Sequence, residues 1–170
     1  MAEREHSYEV SLEWTGNRGS GTSGYREYGR DHEVTVSGAG DGAGDAGRPQ
    51  PIAGSSDSAF RGDPGRWNPE ELLVGSLSSC HQLWYLHLCA VNKVRVLEYR
   101  DHATGLMAEH ADGSGEFTRV ILRPEVVIAP DSDGGTALRL HHDAGRMCFV
   151  ARSMNFPVDH EPTVRIAETG

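Results

Sequence analysis

The chain has 170 residues, 37% of them hydrophobic and 24% charged, enough apolar side chain for a globular core and too much for wholesale disorder. Its net charge of −9, from 16 Lys+Arg against 25 Asp+Glu, repels phosphate backbones and anionic lipid, so neither nucleic acid nor membrane is expected as a partner. The charged start MAEREHSYEV lacks the apolar segment of a secretory signal, and three cysteines without paired spacing fit a reducing compartment, so a cytoplasmic protein is expected.

Residues 8–14, YEVSLEW, alternate apolar and polar and predict a strand. After the turn-rich TGNRGSGTSG, a second strand is strongest at Glu33–Val36 and pairs with the first as a hairpin. Residues 38–66 are rich in Gly, Asp, Ser, Ala and Pro and read as a long irregular loop. Residues 1–37 are too few to fold alone, so residues 1–170 are read as a single domain.

WNPEELLVGSLSSC then predicts a helix starting at Asn68 and running to about Val91. Asn68 caps it, Pro69 suits the first helical position, and Glu70 and Glu71 complement the dipole. Leu73, Leu77, Cys80, Trp84 and Leu88 fall on one helical stripe, which Leu72, Leu83, Leu86 and Cys89 widen. Next, VRVLEYRDHATGLM, GEFTRVILRP and EVVIAP read as an antiparallel meander. TALRLHHDAGRMCFVARSMN predicts a second helix capped by Thr136, with Ala137, His141, Ala144, Cys148 and Ala151 on a narrow stripe suited to close packing. FPVDHEPTVRIAE ends the chain as one strand, so the predicted order is β-β-loop-α-β-β-β-α-β, an α+β fold.

Cys89 sits among large apolar residues in LWYLHLCA and reads as a core filler. Cys80 differs, because SLSSCHQ surrounds it with hydroxyls that must be satisfied, and this points to a pocket. A reactive thiol needs access and a nearby cation, and the candidates are Arg61 and Arg66 before the helix and Arg18 and Arg30 in the first hairpin. Glu70 lies ten residues before Cys80, about 15 Å along one helix, so the two approach each other only if helices from two chains pack antiparallel across a two-fold axis. The nine histidines show no metal-binding spacing, and His141 reads as a hydrogen-bonded interior residue. GAGDGAGDAG is followed by no helix, which argues against a dinucleotide loop, and no GxSxG elbow is present.

NPEELLVGSLSSC, followed after 67 intervening residues by CFVARSMNFPV, resembles the OsmC/Ohr family of organic hydroperoxide reductases over nearly the whole chain. The resemblance implies an OsmC-like α+β fold, with antiparallel sheets and two main helices carrying the cysteines, in an intertwined homodimer. It implies a thiol-dependent peroxidase with Cys80 peroxidatic, Cys148 resolving, Glu70 paired with an activating arginine, no bound cofactor, and an external dithiol as reductant. Arg18, Arg30 and Arg61 all remain candidates for that arginine. Ala59 stands before Phe60 where an arginine is common in the family, and Phe149 follows Cys148 where proline is common, so the chain reads as a divergent OsmC-like branch. The alternative is a non-catalytic small-molecule or redox-sensing module on the same fold.

Overall fold

The computed structural model describes residues 4–36 and 49–168, and the segment GAGDGAGDAG lies outside the described residues. The chain divides into two compact units, Met1–Pro69 and Glu70–Gly170.

In the first unit, β1 (Val10–Trp14), β2 (His32–Val36) and β3 (Ile52–Gly54) form an antiparallel sheet in that order, with Val10 opposite Val36 and Trp14 opposite His32. The loop between β1 and β2 is strapped down by Trp14, whose indole N–H donates to the Gly29 carbonyl at 2.8 Å. A Cβ at Gly16 would stand 2.1 Å from that same carbonyl oxygen, so only glycine fits there. The reading of residues 38–66 as wholly irregular needs correction in its described part. Ile52–Gly54 pairs with β2, and Ser58–Phe60 forms a 3-10 turn capped by Asp57, which accepts from the Ala59 N–H at 2.7 Å. A three-residue strand between Pro51 and Ser55 is too short to show periodicity, which is why composition alone hides it.

The second unit is built on α1 (Pro69–Val91), with Glu70 and Glu71 in its first turn. Its C-terminus closes through Lys93, which adopts the left-handed conformation at φ 60°. The Val94 N–H then reaches back to the Cys89 carbonyl at 2.9 Å and the Lys93 N–H to that of Ala90 at 3.3 Å, satisfying carbonyls the last turn would otherwise orphan.

Four strands and a second helix follow: β4 (Val96–Asp101), β5 (Thr104–Glu109), β6 (Gly115–Leu122), β7 (Pro124–Ile128) and α2 (Gly134–Met147). The strands are not a meander. The middle pair β5–β6 and the outer pair β4–β7 are nested antiparallel hairpins in separate three-stranded sheets. The break falls at Asp101–Ala103, where the Asp101 carboxylate accepts from the Arg123 N–H at 2.7 Å and so turns both hairpin arms at one level. The terminal segment is two strands, β8 (Val158–His160) parallel to β6 and β9 (Thr163–Ile166) parallel to β7, split by Pro162. Both sheets are therefore mixed at one edge.

The buried line of α1 is Leu77, His81, Tyr85 and Cys89, not the stripe through Cys80 and Trp84. Leu77 packs with Val120 and Leu122, while Tyr85 and Cys89 pack with Val126, Ile128, Ala137, Leu140 and Ala144. The cap of α2 is Asp133 and not Thr136, the Asp133 carboxylate accepting from the Thr136 N–H at 2.8 Å. That helix stops at Met147, so Cys148 is its C-terminal cap residue in extended conformation and Ala151–Ser153 is a separate 3-10 turn. The small stripe survives up to that point: Ala137, His141, Ala144 and Cys148 are all buried.

Candidate functional site

Cys80 lies in the middle of α1, half-buried, and Cys148 is buried at the end of α2. Both are free thiols, and they stand close enough for Cys80 to act on the titration of Cys148. Burial first, and then the neighbouring Cys80 thiol, push the Cys148 thiol up to about 11, so Cys148 keeps its proton at neutral pH. The Cys148 sulfur also accepts from the Ala151 N–H at 3.4 Å, at the start of the 3-10 turn. Where the chain leaves α2 therefore decides where this sulfur sits.

Cys80 opens onto a cleft of about 530 Å³. One wall is a face of α1, made by Ser76, Ser79, Cys80, Leu83, Trp84 and His87; Phe149 and Val150, just after Cys148, form the other. Trp84 spans the two walls, meeting Phe149 edge-on at 5.5 Å between ring centroids and His87 edge-on at 5.9 Å. The hydroxyls that pointed to a pocket all have partners: Ser76 donates to the Leu73 carbonyl at 2.7 Å, Ser79 to that of Ser76 at 3.1 Å, and Ser78 leaves the helix to donate to the Asp101 carboxylate at 2.5 Å. The cleft thus presents mainly apolar surface around one thiol.

On the buried side of α1, one residue past Cys80, three histidines meet in the core. The His81 Nε2 lies 3.1 Å from the His141 Nδ1, joining α1 to α2, and the His160 ring stacks on His81 at 4.4 Å. His141 stacks on Tyr85 at 3.8 Å. Burial foremost, then the neighbouring imidazoles, lower His81 and His141 to about 3, and burial likewise lowers His160. Two neutral imidazoles share one hydrogen bond here, and His81 Nδ1, His141 Nε2 and His160 Nε2 are buried with no partner. Among the described residues no group of side chains has the geometry to hold a metal ion. Cys89 ends this face: it is buried among apolar side chains, and burial raises its thiol.

The other candidate residues are placed apart from this pair or in the first unit. Glu70 is half-buried in the first turn of α1, ten residues and about 15 Å of helix before Cys80, and none of the described ion pairs includes it. Within the first unit, Arg18 is exposed in the β1–β2 loop. Arg30 is held firmly, donating to the Tyr28 and Tyr25 carbonyls at 2.7 and 3.0 Å beneath both their rings. Arg61 is exposed, left-handed at φ 67°, and 6.0 Å from the Tyr25 ring. Arg66 lies 4.0 Å from Asp31 and 3.9 Å from Asp63. Sequence reasoning placed His141 as a hydrogen-bonded interior residue, as found, but missed its companions His81 and His160 and the place of His87 in the cleft. The seven-residue step from Cys80 to His87 was a usable signal, since it returns to the same helix face.

No helix among the described residues is long and apolar enough to cross a membrane. No curated protein matches the chain. Among solved structures, an OsmC-like protein of unknown function from Vibrio cholerae is similar at 26% identity and a TM-score of 0.78, over 94% of this chain and 100% of that one. An organic hydroperoxide resistance protein from Elizabethkingia anophelis matches at 14% identity and 0.64, over 98% and 100% of the two chains. One from Bacillus subtilis matches at 17% and 0.58, over 94% and 98%. These last two likenesses speak for the fold alone. The family model described as OsmC-like protein matches residues 62–163, the stretch that carries α1, α2 and both cysteines of the pair, and the chain therefore belongs to the OsmC-like family.

Proposed function

We propose that the chain is a thiol-dependent peroxidase, reducing organic hydroperoxides through Cys80 with Cys148 as the resolving thiol. One observation carries this reading: a free thiol opening onto an apolar cleft stands beside a second, buried free thiol. The names of the Elizabethkingia and Bacillus proteins, which share the fold, support the same chemistry.

In the first step the Cys80 thiolate attacks a peroxide oxygen. An S–O bond forms, the O–O bond breaks, and the departing alkoxide takes a proton to leave as an alcohol, with the sulfur oxidised to a sulfenic acid. In the second, the Cys148 sulfur displaces the hydroxyl, which leaves as water carrying the Cys148 thiol proton, and a disulfide remains. An external dithiol reduces it, returning both thiols and an oxidised dithiol. The resolving thiol is suited to wait: raised to about 11 it stays protonated, and the Ala151 N–H steadies its sulfur whenever that sulfur carries charge. The apolar walls favour alkyl or aryl hydroperoxides over hydrogen peroxide. An arginine that steadies the thiolate, with Glu70 as its partner, and a homodimer belong to the proposal as the family resemblance implies them. Alanine at Arg18, Arg30 and Arg61 in turn, read as kcat/KM, selects among the arginines.

The second reading is a non-catalytic binding or redox-sensing protein, favoured by a cleft lining that includes no arginine. Consumption of cumene hydroperoxide with dithiothreitol separates the two. Multiple turnovers that Cys80→Ser abolishes support the peroxidase, and saturable binding without turnover supports the sensor.

A further inference from the structure

His81 follows Cys80 on α1, and its buried ring is where α2 rests against that helix. Its Nε2 shares a hydrogen bond of 3.1 Å with the His141 Nδ1. His141 lies seven residues before Cys148, two turns back along the same buried stripe. The His160 ring stacks on His81 at 4.4 Å, and a Cβ at Gly145 would stand 2.6 Å from the His160 Cε1. The histidines therefore hold α2 at two heights, His141 and Gly145, on its approach to Cys148. Packing alone does not call for imidazoles here. His81 Nδ1, His141 Nε2 and His160 Nε2 are buried without a partner among the described residues, a cost that leucine or methionine would avoid. What the histidines supply in return is direction, since a hydrogen bond fixes how one helix sits on another.

Resting on the peroxidase reading, we propose that His81 and His141 are positioning residues for the resolving step: their contact sets α2 on α1 so that Cys148 reaches the Cys80 sulfenic acid before a second hydroperoxide does. Two reactions compete for that sulfenic acid. In one, the Cys148 sulfur forms the S–S bond and the hydroxyl leaves as water with the thiol proton. In the other, the Cys80 sulfur takes an oxygen from a second hydroperoxide: an S–O bond forms, the O–O bond breaks, an alcohol leaves, and the resulting sulfinic acid ends turnover. The first oxidation needs only Cys80 and the cleft. Disulfide formation needs two helices in register, and an intramolecular step of this kind loses rate steeply with small displacements. The histidines act through Cys148 and leave the chemistry to the cysteines.

The test treats the reduced full chain with cumene hydroperoxide, quenches it over time, and reads Cys80 by mass spectrometry as thiol, dimedone-trapped sulfenic acid, disulfide or sulfinic acid. In His81→Leu and His141→Leu the Cys80 thiol is expected to disappear within about twofold of the wild-type rate, while the disulfide forms about tenfold more slowly. The hydroperoxide concentration that turns half of Cys80 into sulfinic acid falls by the same factor. His81→Gln, whose amide places a hydrogen-bonding atom near the former Nε2, recovers part of the disulfide rate. Gly145→Ala loses it with both imidazoles intact. Cys89→Ala, on the same buried line of α1 but away from the contact, keeps the wild-type partition. Should the leucine variants fail to fold, His81→Asn, whose amide stops one methylene short, takes their place beside His81→Gln. Wild-type disulfide formation in the leucine or asparagine variants overturns the assignment and leaves the peroxidase reading standing. So does a first step slowed as much as the second, or an equal slowing in Cys89→Ala. A wild-type Cys80 that is not oxidised, or is oxidised without forming the disulfide, overturns the peroxidase reading and this assignment with it.

Discussion

The two faces of α1 use the same residue types to opposite ends. One face carries Cys80 and His87 along an open apolar cleft; the other carries Cys89 and His81 in the core. On the buried face the thiol is raised by desolvation, and the imidazole is held neutral against two others. On the open face the thiol meets a second thiol, and the imidazole meets solvent. Residue type therefore does not assign chemistry here. Access and the nearest partner do, and 100° of helix rotation separates Cys80 from His81.

The largest expected effect lies on the open face. Cys80→Ser is expected to drop organic hydroperoxide consumption to background, because serine's alkoxide is inaccessible at neutral pH. Cys148→Ser is expected to consume one equivalent of peroxide and stop, with a sulfenic acid at Cys80 that dimedone traps and a mass spectrum reports. A Cys148→Ser protein that keeps full turnover with a monothiol reductant would show that resolution does not need the second cysteine.

The buried face should answer to pH. His81 and His141 have folded pKa values of about 3 against 6.5 for an ordinary histidine. Between those values the unfolded chain binds the protons and the folded chain does not, so stability falls as pH falls below about 6.5. The loss is roughly 1.4 kcal/mol per pH unit for each imidazole, or about 2 kcal/mol each by pH 5. Urea midpoints measured from pH 7.5 to pH 5 should fall accordingly. His81→Leu leaves the buried His141 Nδ1 unpaired, so it should cost about 1–3 kcal/mol at pH 7.5 and flatten that slope. A slope unchanged by His81→Leu would place the acid sensitivity elsewhere. The smallest effect belongs to Cys89→Ala, expected to cost about 1–2 kcal/mol of stability through a small cavity while peroxide consumption continues.

Much of the helical framework was legible because its signals are local. Asn68, Pro69 and the two glutamates mark the start of α1, and the small stripe from Ala137 to Cys148 marks the packing face of α2. The end of α2 was not legible, since nothing in RMCFVARS forbids helix; the chain leaves it at Cys148, beside the Cys80 thiol. The cleft was reached by a reason that does not hold, because the serines that suggested it have partners elsewhere, Ser76 and Ser79 in their own helix and Ser78 on Asp101. Of the histidine core only the interior His141 was within reach; its partners were not, for the cluster draws on α1, α2 and β8 through side chains with no shared periodicity. The nested hairpins escaped for a similar reason: which strands pair is fixed by the break at Asp101–Ala103, and alternation within each strand is the same in a meander.

The most direct test of the difference between the two faces is disulfide mapping after one equivalent of cumene hydroperoxide is added to the reduced protein without reductant. The expected result is a single intrachain disulfide joining Cys80 to Cys148, with Cys89 still alkylatable once the protein is unfolded. Peroxide left unconsumed, or a disulfide that includes Cys89, would contradict the assignment of the open face as the reactive one.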